Sequence, residues 1–118
     1  MAAPNIAGAS PTVNGKTAIL AATNTETDII AAVATGHCAR VEAVFASNIH
    51  ASTTGWVTLV HRRGGVSYRI TNQLSVPITA SFNLLGGRIL YLEEGDSLRA
   101  QSNASSNIEV VATYEDIS

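Results

Sequence analysis

Three histidines (His37, His50 and His61), one cysteine (Cys38) and one acidic cluster (Glu93, Glu94 and Asp96) are the side chains best suited to chemistry in this chain. His37 directly precedes Cys38. Adjacent residues of a strand point to opposite faces, so these two cannot share one metal ion without distortion. No C-x-x-C, H-x-E or H-x-H spacing occurs, and the ligand pattern of a structural zinc site is missing. No nucleophile elbow, Walker loop or dinucleotide-binding glycine pattern occurs either. No catalytic, metal or cofactor site is therefore expected. The acidic cluster has two uses: a weak cation site through carboxylates, or a turn in which Asp96 accepts backbone N–H groups, which is the preferred reading. His61, Arg62, Arg63 and Arg69 make a modest basic tip, read either as a solvated hairpin end or as a contact to an acidic neighbour.

A lone cysteine permits no internal disulfide, and Cys38 is expected to be a small buried apolar residue. A secreted domain of this size would often be stapled, so a reducing place of synthesis is expected. Residues 1–10 lack the charge and apolar segment of a signal peptide. The longest apolar run, 29–34, is far too short to span a bilayer. Net charge is −2 and no basic run exceeds Arg62–Arg63, which argues against nucleic acid as a partner. Without a secretory signal, the sequon Asn103-Ala104-Ser105 carries no meaning.

The elements that must position these groups are strands. From Lys16 onward, short apolar stretches alternate with turn signals, the pattern of an all-β sandwich or barrel. Strands are expected at 16–22, 38–48, 79–84, 88–92, 97–101 and 108–115, with a hairpin over 55–72. Residues 28–33 fit either a short strand or a capped helix, and the pair Ile29-Ile30 favours the strand. Gly64-Gly65 is a two-residue hairpin signal. It pairs Arg63 with Val66, His61 with Tyr68, Leu59 with Ile70 and Val57 with Asn72. That register puts Val57, Leu59, Val66, Tyr68 and Ile70 on the buried face, and Thr58, Arg62, Ser67, Arg69 and Thr71 outside. Trp56 falls on the outer face near the strand end. In 38–48, Val41, Ala43 and Phe45 share one face, with Val44 and Ala46 on the other. In 97–101, Leu98 and Ala100 oppose Arg99 and Gln101. In 108–115, Ile108, Val110, Ala112 and Tyr114 point inward. Roughly eight strands result, matching a jelly roll, which is preferred, or an Ig-like sandwich.

Hydrophobic residues make up 46% of the 118-residue chain and charged residues only 14%. The charged share is well under the roughly 25% of typical soluble domains, as expected where a protein packs against neighbours. Residues 1–15 are rich in Ala, Pro, Asn and Gly and read as an extended arm. The arm precedes a single sandwich domain at 16–118. Its prolines favour extended backbone able to pair along a neighbouring sheet edge.

Three stretches resemble small virion structural proteins of tailed bacteriophages, cyanophages in particular. They are Phe82-Asn83-Leu84-Leu85, then Leu90-Tyr91-Leu92-Glu93-Glu94-Gly95-Asp96-Ser97-Leu98, then Ile108-Glu109-Val110-Val111-Ala112-Thr113-Tyr114. Thr35-Gly36 followed by 41–48 shares the likeness, and residues 1–15 do not. The resemblance implies a non-enzymatic virion component made in the host cytoplasm. A capsid decoration (cement) protein, trimeric and bound to the major capsid protein, comes first. A tail, baseplate or fibre-attachment component comes second. A carbohydrate-binding or cupin-like domain is a third reading, opposed by the 5% aromatic content. No cofactor and no membrane partner are expected. The expected interface residues are Pro4, Ile6 and Pro11 on the arm, with Trp56, Arg62, Arg63 and Arg69 on the hairpin.

Overall fold

The alternation of apolar and polar residues resolves into nine strands in two antiparallel sheets, in a computed structural model that describes residues 12–118. The strands are β1 (Val13–Ala21), β2 (Thr27–Ile30), β3 (Cys38–Asn48), β4 (Gly55–Arg63), β5 (Val66–Val76), β6 (Ser81–Asn83), β7 (Leu90–Leu92), β8 (Ser97–Ser102) and β9 (Ile108–Ile117). One sheet runs β1-β9-β3-β6 with β7 also on β3, and the other runs β2-β8-β4-β5. The inner faces share one core that includes Val41, Val44, Leu59, Leu92, Leu98 and Ile108. Each fully buried Leu or Ile contributes about 1.5–3 kcal/mol by leaving water. The protein is thus all-β, as expected, with two sheets packed face to face. Pro4, Ile6 and Pro11 lie outside the described residues.

Strand β1 begins earlier than the expected boundary at residue 16. Val13, Asn14 and Gly15 pair with Ile117, Asp116 and Glu115, so they belong to the sheet and not to an arm. The ambiguous segment is a strand only at Thr27–Ile30, with 31–34 leaving the ladder. Strands β6 and β7, expected at 79–84 and 88–92, do not form a hairpin with each other. Both pair with β3, at Phe45–Ser47 and Ala39–Val41 respectively, as two pieces of one edge interrupted by a loop. Asn83 anchors that interruption: its Oδ1 accepts the N–H groups of Val44 and Leu85.

Bulges account for the misassigned faces. The β3–β9 register slips between Val41 and Ala43, leaving Glu42 as the extra residue. Val41 therefore joins Val44 and Ala46 in the core, while Ala43 and Phe45 face out. The hairpin tip follows the expected register: Gly64 and Gly65 both have positive φ (60° and 77°), and Arg63, Arg62 and His61 pair with Val66, Ser67 and Tyr68. Beyond it the register slips twice, so Leu59 pairs with Thr71 and Val57 with Leu74. Two threonine hydroxyls replace the ladder bonds lost there. Thr71 Oγ1 accepts the Leu59 N–H, and Thr58 Oγ1 accepts the Gln73 N–H at 2.9 Å. Strand β4 is consequently buried on both faces, Thr58 and Val60 included, whereas Val66, Tyr68 and Ile70 stand in solvent.

This geometry reverses one expectation about the hairpin. Leu59→Asp places an unpaired carboxylate in the core, at a cost of several kcal/mol, and is expected to abolish the folded state. Ile70→Asp is expected to shift stability by no more than about 1 kcal/mol. Urea unfolding of the two variants checks this; equal damage would show that β5 packs inward after all.

Candidate functional site

The basic tip and the acidic turn, read separately in the sequence, meet in space. Asp96 follows the tight turn after β7 and is 1% exposed. Its carboxylate accepts Nε2 of His61 at 2.9 Å, Nε of Arg63 at 2.8 Å and a second Arg63 nitrogen at 2.6 Å. The backbone N–H of Glu93 donates to it as well, at 2.9 Å, and the Glu93 carboxylate also reaches Arg63. The backbone N–H contact was expected; burial against two basic side chains was not. The Arg63 hydrogen bonds, followed by those of His61 and the Glu93 N–H, hold the Asp96 carboxyl well below the usual carboxylate range despite its burial.

Most of the remaining charge is also spent internally. Arg62 and Arg99 both reach Glu26, and Arg99 Nε bonds Asp28 at 2.7 Å. Arg40 bonds Glu115 at 3.0 Å, and Lys16 lies 3.6 Å from Asp116. Among the described residues, Arg69 and Arg88 are the cations with no ion pair, and Glu109 is an acid with neither an ion pair nor a side-chain hydrogen bond. Of the expected interface residues, Arg62 and Arg63 are therefore tied within the chain and Arg69 is free. Trp56 is half-buried, its backbone N–H donating to Asn103 Oδ1 at 3.3 Å.

Two of the surface clefts among the described residues bear on these groups. The larger, about 360 Å³, is lined by His61, Arg63, Tyr68, Arg69 and Ile70. The bulge at Ile70 brings three consecutive residues of β5 to one cavity. With Arg63 neutralised by Asp96 and Glu93, Arg69 leaves the cleft one uncompensated positive charge. The smaller, about 210 Å³, lies between 30–34, His37, Ala39, Tyr114 and Asp116, with His37 Nδ1 3.0 Å from Asp116. Cys38 neighbours it but is buried. Burial, then the charges of Asp116 and Glu93, push its thiol pKa up, the reverse of an activated nucleophile.

The outer face of the larger sheet carries an apolar row that single-strand patterns did not reveal. Ile19, Val111 and Phe45 are cross-strand partners on β1, β9 and β3, exposed by 75%, 37% and 45%. One signal was present: Val111 interrupts the polar positions of β9. The row itself depends on which strands become neighbours. Glu109 pairs with Ala21 and Ser47 in the next row of that face. A second exposed apolar set, Val66, Tyr68, Ile70 and Leu74, runs along β5.

No family model and no curated protein matches the chain. Among solved structures, it is similar to a pentameric capsid protein isolated from metagenomic phage sequences. The TM-score is 0.43 and the identity 19%, covering 85% of this chain and 59% of that one. The chain thus spans less than two-thirds of that protein's length, and a likeness of this degree carries no functional weight.

Two outcomes test the site. Asp96→Asn is expected to cost about 2 kcal/mol near pH 7. That is less than the roughly 3–5 kcal/mol of breaking a fully buried pair, because Arg63 is half-exposed and regains water. Asp96 titrates lower in the folded state than in the unfolded chain, so its stabilisation is complete above about pH 4 and fades as the pH falls below it. The gap between wild type and variant should therefore narrow under acid, as read from urea midpoints between pH 7 and 2. Separately, alkylation of Cys38 at pH 8 should run at least about tenfold slower in the native protein than in the unfolded chain.

Proposed function

We propose that this protein is a non-enzymatic structural component of a tailed-phage virion: a capsid decoration protein that self-associates, as a trimer, and binds the major capsid protein shell. The observation that carries this reading is the distribution of apolar and charged groups. Most charges are sequestered in internal ion pairs, while Ile19, Phe45, Tyr68, Ile70 and Tyr91 remain in solvent. Such a surface favours burial against other chains, where few charges need desolvating. The strand order supports the same reading. Counting β6 and β7 as one interrupted strand renumbers β8 and β9 as 7 and 8, and the sheets become 1-8-3-6 and 2-7-4-5. We read this as the jelly roll, a fold used by viral shell proteins.

Light scattering and co-sedimentation with shells lacking the native copy test the proposal. At tens of micromolar, a concentration that reports interfaces tighter than about −7 kcal/mol, the mass should be that of three copies, and the protein should pellet with the shells. A monomer at that concentration rejects self-association. Failure to pellet with shells rejects the decoration role.

A further inference from the structure

Among the described residues, five of the seven basic side chains of Lys and Arg are held by acids of the same chain. Arg69 is not, and it lines the larger cleft beside Tyr68 and Ile70, which are 59% and 36% exposed. On the other sheet, Glu109 has no ion-pair partner among the described residues, and it lies one row from Ile19, the most exposed of the large apolar residues described. Each patch combines exposed apolar surface with a single uncompensated charge, and the two charges are opposite. Arg69 belongs to edge strand β5 of one sheet and Glu109 to the outer face of the other, so the two patches lie on different sheets of the molecule.

We propose that the chain binds a second copy of itself head to tail, Arg69 of one copy pairing with Glu109 of the next while Ile19 of that next copy enters the cleft at Tyr68 and Ile70. This rests on the self-association proposed for the virion role and assigns its surfaces. At about 360 Å³ the cleft is the size of a small ligand site and admits one aliphatic side chain. Two different patches meeting make a heterologous contact, which closes into a ring when the rotation per copy divides the circle. A trimer built this way repeats one interface three times. Tyr68 and Ile70 lose water together with Ile19, and the Arg69–Glu109 pair sets the register, since like charges brought together there repel.

Charge reversal tests the pairing, read by sedimentation velocity over a dilution series. Both residues are exposed, so R69E and E109R should melt like the wild type. Each should weaken self-association by about tenfold or more, and the double variant R69E/E109R should recover most of that loss. I19S should weaken association without changing melting. R88E, which reverses the other unpaired cation, should associate as the wild type does. Wild-type association by R69E and E109R overturns the proposal, as does a double variant no better than either single one. A monomeric wild type overturns it together with self-association. Co-sedimentation of that same wild type with shells then reports separately on the virion role.

Discussion

The carboxylate of Asp96 closes one end of the sandwich. It lies in the connection between β7 of one sheet and β8 of the other, and it bonds His61 and Arg63 near the tip of β4. The backbone around it holds the chain that leaves β2, with Val33 N–H donating to Asp96 O and Gly95 N–H to Val33 O, both at 2.9 Å. Three segments distant in sequence thus converge on one buried residue. A carboxylate removed from water is costly unless its lone pairs are filled. Here they are filled by a guanidinium fork, an imidazole and a backbone N–H, so the hairpin tip and the acidic turn hold each other in place.

The sequence disclosed much of the fold where local rules decide it. Strand β3 runs over the expected residues, Cys38–Asn48, and β9 keeps Ile108, Val110 and Ala112 buried with Glu109 outside. The hairpin register is right where Gly64 and Gly65 pin it. It fails a few residues on, because each bulge adds one residue to a strand and turns the later side chains to the other face. Nothing in the residue types around Ile70 or Gln73 announces those bulges. Their compensation, by the hydroxyls of Thr58 and Thr71, exists only once the strands are paired. The candidate site was half legible for the same reason. The basic tip and the acidic cluster were both visible, but Arg63 and Asp96 are 33 positions apart, and their pairing depends on the sheet order.

The low charge content also acquires a spatial meaning. The chain gathers part of its few ionic groups into two clusters, the Asp96 node and the outer face of β8, where Arg99 is linked to Glu26 and Asp28. On that face Val60 is buried although it points away from the core. Its cross-strand partner Arg99 is held on that face by Glu26 and Asp28, and a long basic side chain covers apolar neighbours with its stem while its head stays wet. The other outer face carries the row Ile19, Val111 and Phe45, with Glu109 in the next row.

The two long outer strands differ in a way that bears on polymerisation. Strand β1 matches β9 through nine consecutive pairs without a slip, so its free edge is regular. Strand β5 is interrupted twice along its pairing with β4, and Gln73 takes a positive φ of 50°. A kinked edge offers its N–H and C=O groups at irregular spacing and is a poor template for another strand. The exposed apolar set along β5 is thereby denied the backbone pairing that nucleates cross-β stacking. Crowded copies can meet along β5 through side chains alone, and of the two long edges β1 is the regular one, where Lys16 sets a charge ahead of the apolar residues 18–21.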